Sequence, residues 1–147
     1  MAMSALAVVK EFVYRFQSQD MEGVLELLTD DIAIHESDSV PYPGDYIGKE
    51  RFIEFANTFP KVWKVERIGR PDNHPDHRYI DGGQDQVVIL ARVPVTARAT
   101  GERLELRAAE IFTVRDEKIS DVETYYWDTK LIYDATIGAQ SSEAQSS

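Results

Sequence analysis

The sequence predicts an α+β fold, a strongly bent antiparallel sheet packed against three helices with an internal pocket. Three observations lead there. Before residue 60, apolar residues recur at helical spacing in three stretches. After residue 62 the period changes to two, in long segments joined by turn residues. The chain has 147 residues, and a globule of that size buries roughly 68–70% of its unfolded surface. Helices followed by hairpin-connected strands place the helices on one face of an antiparallel sheet. A bent sheet closed by helices makes a cone, and a cone of this size can be hollow.

In "SALAVVKEFVYRFQSQ", Leu6, Val9, Phe12, Val13 and Phe16 form an apolar stripe opposite Lys10, Glu11, Arg15 and Gln17, and Ser4 can cap the helix. Asp20 caps a short second helix carrying Val24, Leu25 and Leu28, which "TDD" closes; "IAIHE" then reads as a strand. Residues 35–52, "HESDSVPYPGDYIGKERF", form a polar connection. Phe52, Phe55, Ala56 and Phe59 make a third helical stripe, stopped by Pro60. "VWKVERI" is a strand, and "GRPDNHPDHRYIDGGQD" a long polar surface loop. "QVVILARVPVTARAT" and "ERLELRAAEIFTVR" are long strands meeting in a hairpin at Thr100-Gly101, with a bulge or an edge at Pro94. "ISDVETYYW" is the last strand and "DTKLIYDA" a closing helix. Residues 1–137 thus form one domain, and the low-complexity tail 138–147, "GAQSSEAQSS", is expected to be disordered.

Composition narrows the function classes. With 26 acids against 16 bases the formal net charge is −10, so neither nucleic acid nor an anionic membrane is an expected partner. The chain has no cysteine, hence no disulfide framework and no thiolate site, which fits a cytoplasmic protein. "MAMSALAVVKEF" lacks a basic residue ahead of its apolar run, which Lys10 interrupts, so it reads as a helix and not as a secretory signal. No segment is long enough to span a bilayer.

The most informative residue is Glu110. Alternate residues of a strand share a face. Leu104, Leu106, Ala108, Phe112 and Val114 occupy one parity of the second long strand, while Arg103, Glu105, Arg107, Thr113 and Arg115 occupy the other. Glu110 falls on the apolar parity. A charge there is costly, so the group either pairs, for instance with Arg92, or stays neutral with a raised pKa. A neutral acid in an apolar pocket can donate a hydrogen bond to a developing oxyanion or act as a general acid. A β-bulge would instead turn it to solvent.

The runs "VVKEFVYRFQSQDMEGVLELLTDDIAIHES" and "GKERFIEFANTF", with the closing "EKISDVETYYWDTKLI", resemble the nuclear-transport-factor-2-like superfamily, in its SnoaL-like and ketosteroid-isomerase-like group. The resemblance covers nearly the whole chain outside residues 69–85 and the tail. It implies the same cone-shaped fold with an internal pocket, and a homodimer formed through the outer sheet face where Arg103, Glu105, Arg107 and Ile111 would lie. Position by position, the isomerases' first-helix tyrosine falls at Phe12, which has no hydroxyl. Their proton-shuttling aspartate falls at Ser37, between Glu36 and Asp38, and their second acid falls at Glu110. The cyclases' late acid falls nearest Thr124. The family register turns Ala33, His35 and Ser37 inward, whereas apolar parity turns Ile32, Ile34 and Glu36 inward. The register is preferred here, because so short a strand can be buried on both faces.

On that basis the expected catalytic residues are His35 or Asp38 as base and Glu110 as oxyanion donor, with Phe12, Thr124 and Tyr126 lining the substrate site. Each also has a plain structural explanation: a hydrogen-bonded cavity histidine for His35, and a turn residue accepting backbone N–H groups for Asp38. His74 and His77 match no metal-binding spacing and are read as part of a solvated turn; neither a metal nor a cofactor is expected. The function expected is a cofactor-independent isomerase or cyclase acting on an apolar carbonyl or polyketide-like compound. The alternative is a non-catalytic ligand-binding or dimerisation module. An epoxide-hydrolase-like variant needs an Asp–Arg–Asp set, for which the sequence supplies only Arg92 and weakly placed acids.

Overall fold

The structure is a computed structural model and describes residues 2–66 and 77–139. Ser4 caps α1 (Ala5–Gln17) by accepting from the Ala7 N–H at 3.1 Å, and Asp20 caps α2 (Met21–Glu26) through the Gly23 N–H at 2.9 Å. There follow β1 (Leu28–Glu36), β2 (Gly44–Ile47), α3 (Lys49–Val62), β3 (Trp63–Val65), β4 (Arg78–Gly83), β5 (Gln86–Ala97), β6 (Arg103–Arg115), β7 (Lys118–Tyr126) and α4 (Thr129–Ala135). The seven strands form one sheet in the order β2-β1-β7-β6-β5-β3, and β4 pairs with β5 beside β3. The α+β cone expected from the sequence is present. Its pairings are antiparallel except for β1 with β7, which run parallel.

Several local expectations change. β1 begins at Leu28, so "TDD" belongs to the strand and not to a helix end. Leu28, already level with Ile119 of β7, is fully buried there, and sheet pairing overrides the weak helical signal of so short a segment. α3 runs past Pro60 to Val62. Pro60 stands in the last turn, where its missing N–H forfeits a single bond. Arg98 then covers the helix end, with Nε on the Pro60 carbonyl at 2.7 Å and its backbone N–H on that of Val62 at 2.9 Å. β2 lies inside the polar connection and β4 inside the polar loop, because strand partners existed for both. Pro94 is an edge rather than a bulge. β4 covers residues 86–90 of β5 and β3 covers 95–97; Pro94 lies between them, its carbonyl accepting from the Glu66 N–H at 2.9 Å on the side where its missing N–H would otherwise donate.

The core has two parts. The larger joins α1, α2 and α3 to the sheet around Val8, Val9, Ile32, Phe52, Ile89 and Phe112. The smaller gathers Val40, Tyr42, Trp63, Leu106 and Ile132 beneath α4. Between β2 and α3 the chain turns at Gly48, whose φ of 92° favours glycine. Its N–H donates to the Ile32 carbonyl at 2.7 Å, which ties the start of α3 to β1.

A candidate active site: two buried acids in an aromatic cavity

A cavity of about 210 Å³ opens between the concave face of the sheet and helices α1 and α3. Its walls are mostly apolar, with Phe12 and Phe16 from α1 and Phe52, Phe55 and Phe59 from α3 facing Ile89, Leu106 and Phe112 of the sheet. Phe12 packs edge-on against Phe112 and Phe52, with ring centroids 5.7 and 6.3 Å apart. Four polar side chains of the sheet interrupt this lining, namely Glu36, Glu110, Thr124 and Tyr126.

The sheet register explains why they meet. Glu110 of β6 pairs with Thr124 of β7. His35 of β1 pairs with Glu123 of β7, and the strands run parallel, so the next residue, Glu36, comes level with Thr124. Glu36, Thr124 and Glu110 therefore form a row across three adjacent strands, spaced by the usual ~4.8 Å. Tyr126 lies two residues along the same face of β7. Its hydroxyl donates to Glu36 Oε2 at 2.9 Å and meets the Tyr42 hydroxyl at 3.0 Å. The Trp63 Nε1–H donates in turn to the Tyr42 oxygen at 2.9 Å.

Burial pushes the Glu36 carboxyl up to about 8. The Tyr126 and Thr124 hydroxyls oppose the rise, and the neighbouring Glu110 adds to it. Burial alone pushes Glu110 up to about 7. Glu110 makes no hydrogen bond or ion pair among the described residues. Tyr42 and Tyr126 are both held well above the ordinary phenol value, chiefly by burial. The site thus holds two carboxyl groups that share protons near neutrality. One is held by a tyrosine and the other is open to a ligand.

Phe12, Glu110, Thr124 and Tyr126 stand on the cavity wall, where the sequence placed them. His35 and Asp38 do not. Of the two readings of β1, apolar parity holds and the family register fails by one residue. Ile32 and Ile34 are buried, and Glu36 follows them inward. The physical reason is the burial of the two isoleucines, accommodated by a register shift between Leu28 and Ala33 in the pairing with β7. His35 is turned to the other face, with Nδ1 2.7 Å from Asp45 Oδ1 and Nε2 2.8 Å from Asp121 Oδ1. Asp38 is an exposed turn residue, and the turn's backbone N–H groups go to Ser37 instead: Ser39 N–H to its hydroxyl and Val40 N–H to its carbonyl. Arg92 is exposed and pairs with neither acid.

His77 lines the cavity, with its ring edge-on to Tyr79 at 6.4 Å, so it does not belong to a solvated turn. His74 lies outside the described residues. No group of three or more His, Cys, Asp or Glu side chains able to hold a metal ion occurs among the described residues. Sequence reasoning passed over Glu36 although the parity of Ile32 and Ile34 indicated it. Tyr42 and Trp63 carried no comparable signal.

Residues 9–122 match the SnoaL-like domain family. The chain belongs to that family. Solved structures with the same fold include an NTF2-like protein from Burkholderia xenovorans LB400, with a TM-score of 0.78 and 18% identity over 90% of this chain and 95% of that one. A candidate polyketide cyclase from Pseudomonas putida KT2440 has a TM-score of 0.69 and 18% identity over 89% of this chain and 97% of that one. TerC, co-crystallised with polyporic acid, has a TM-score of 0.71 and 21% identity over 89% and 96%. At these identities the likeness establishes the fold. No curated protein matches the chain. No helix among the described residues of this SnoaL-like domain is long and apolar enough to cross a membrane.

Proposed function

We propose that this SnoaL-like domain is a cofactor-independent isomerase or cyclase that removes a proton α to the carbonyl of a small, apolar ring compound. The observation that carries the proposal is the open carboxyl of Glu110 on an apolar cavity wall, one strand removed from a second acid held by Tyr126. An apolar cavity of about 150 Å³ holds benzene, so about 210 Å³ suits a substituted ring. Neighbours of the same fold described as a candidate polyketide cyclase and as co-crystallised with polyporic acid support a ligand of this kind.

The base role passes from His35 and Asp38 to Glu110, the more readily ionised of the two cavity acids. Ionised Glu110 takes the α-proton, and the C–H electron pair moves into the enolate. Neutral Glu36 donates a hydrogen bond to the enolate oxygen, where burial strengthens it. Tyr126 acts through Glu36, since its own proton is committed there. The enolate then takes a proton back from Glu110 at another carbon (isomerisation), or forms a carbon–carbon bond to a neighbouring carbonyl whose C=O π electrons move to its oxygen, and that alkoxide takes the proton from Glu110 (cyclisation).

The test is deuterium incorporation at the α-carbon of small cyclic ketones in D₂O, followed by NMR. Wild type should accelerate exchange, and Glu110→Gln should lose the acceleration. Ketones that bind in the cavity yet exchange at the solvent rate would leave a non-catalytic ligand-binding module.

For assembly, we propose a homodimer through the outer face of the sheet. Ile111 lies on that face, opposite in parity to the cavity residues. Beyond the end of β7, Trp127 is 74% exposed and stacked under Arg107 at 4.6 Å. Sedimentation should give twice the chain mass for wild type and a monomer for Ile111→Glu; a monomeric wild type rules the dimer out.

A further inference from the structure

The chain Trp63–Tyr42–Tyr126–Glu36 has a direction, and the direction bears on the proposed chemistry. Trp63 Nε1–H can only donate, so the Tyr42 oxygen is an acceptor at its Trp63 side. Tyr42 is 1% exposed, and its proton has no acceptor among the described residues other than the Tyr126 hydroxyl. Tyr126 in turn has only Glu36 Oε2 left to receive its proton. The three donors, Trp63 N–H, Tyr42 O–H and Tyr126 O–H, then match the three acceptors, Tyr42 O, Tyr126 O and Glu36 Oε2. Reversing the Tyr42–Tyr126 link leaves the Tyr42 proton buried without a partner and facing the Trp63 N–H, and reversing the Tyr126–Glu36 link alone strands the Tyr126 proton.

We propose that Trp63, Tyr42 and Tyr126 are positioning residues. Their one-way hydrogen-bond chain keeps Glu36 Oε2 as an acceptor, so the acidic proton of neutral Glu36 is confined to Oε1, where it serves as the donor to a ligand oxygen. A carboxylic acid without such a chain can place its proton on either oxygen and turn it away from the ligand. Here the orientation is set before binding. Aligned O–H groups also polarise one another, so the Tyr42 bond makes Tyr126 a stronger donor to Glu36. The inference rests on the proposed role of Glu36 for its consequence, but the proton positions stand or fall independently of activity.

Neutron diffraction on wild-type crystals exchanged into D₂O at about pH 5, well below the value of about 8 to which burial raises Glu36, reads those positions directly. The expected map has the Tyr42 deuteron toward Tyr126, the Tyr126 deuteron toward Glu36 Oε2, and the Glu36 deuteron on Oε1. A deuteron on Glu36 Oε2 overturns the proposal. The functional arm follows phenol binding against pH by Trp63 and Trp127 fluorescence, in wild type and Tyr42→Phe. Cutting the chain weakens Tyr126 as a donor, so affinity should fall about 3- to 10-fold. The alkaline midpoint should move upward, because ionised Glu36 loses support. A merely loosened, wetter cavity would move that midpoint downward, and a downward or unchanged midpoint counts against the chain. If the deuterons lie as stated and phenols do not bind, the proposed function fails and the orientation of Glu36 stands.

Discussion

Glu36 and Glu110 reach the same cavity from β1 and β6, with Thr124 of β7 between them in the sheet register. Both are acids in an apolar enclosure, and Glu110, once ionised, adds to the cost of ionising Glu36. Their protons therefore leave in two steps that belong to the pair. The activity proposed above requires the intermediate state, with one proton gone and one retained.

Activity should accordingly be bell-shaped in pH. The rising limb lies near 7, where the pair loses its first proton, and the falling limb near 8, where it loses the second. Ketone exchange rates measured across pH check this. A profile rising monotonically through pH 9 would show that Glu36 is not needed as a neutral donor.

Glu110→Gln should reduce α-proton exchange by roughly 100-fold or more, the range of a lost general base. It should leave the fold intact, because the amide is of similar size and is never charged. Circular dichroism and NMR exchange together separate chemistry from folding.

The two acids also set an unusual dependence of stability on pH. A carboxyl whose folded pKa is raised binds more protons folded than unfolded, so stability falls as pH rises from its unfolded value through its folded one. For Glu36 that window runs from about 4.5 to about 8. Its full effect is on the order of 3–5 kcal/mol as an upper figure. The melting temperature should decline from pH 5 to pH 8, and Glu36→Gln should flatten the decline.

His35 adds to the same trend by another route. Hydrogen bonds first to Asp45 and then to Asp121 raise its pKa against the opposing effect of burial. Its contribution is complete below the unfolded value of about 6.5 and is lost as pH rises through the folded one. The ring is one-third exposed, so the effect is screened and modest. His35→Gln should lower stability at pH 6 more than at pH 8.5, as thermal melts at the two pH values would show, while phenol affinity stays unchanged.

Phe12 occupies the position where the family resemblance called for a tyrosine, and its ring is enclosed by Phe16, Phe52 and Phe112. Phe12→Ala should cost about 3–5 kcal/mol, read as a lower denaturant midpoint at unchanged slope. A loss below about 1 kcal/mol would mean that the cavity collapses around the deletion.

Legibility in the sequence tracked the length and regularity of each element. β6 has 13 residues and pairs along its length with β5 and β7, so the alternation of Leu106, Ala108, Phe112 and Val114 leaves Glu110 no freedom to face elsewhere. β1 offered two contradictory patterns. The burial of Ile32 and Ile34 decided between them, at the cost of a register shift beside β7. β2 and β4 were missed because short polar segments become strands only when a partner edge is available.

The sequence by itself determined the α+β class and the apolar parity on which Glu110 falls. Both follow from periodicities within single segments, which local sterics and the burial of apolar side chains impose. Only the tertiary structure decided that Glu36 and not His35 enters the cavity, and that Trp63 and Tyr42 stand behind it. Trp63, Tyr42, Tyr126 and Glu36 come from β3, the β1–β2 connection, β7 and β1, and their hydrogen bonds span up to 90 positions of sequence. No pattern within one segment encodes such contacts. They arise when the sheet closes and each buried donor must find an acceptor.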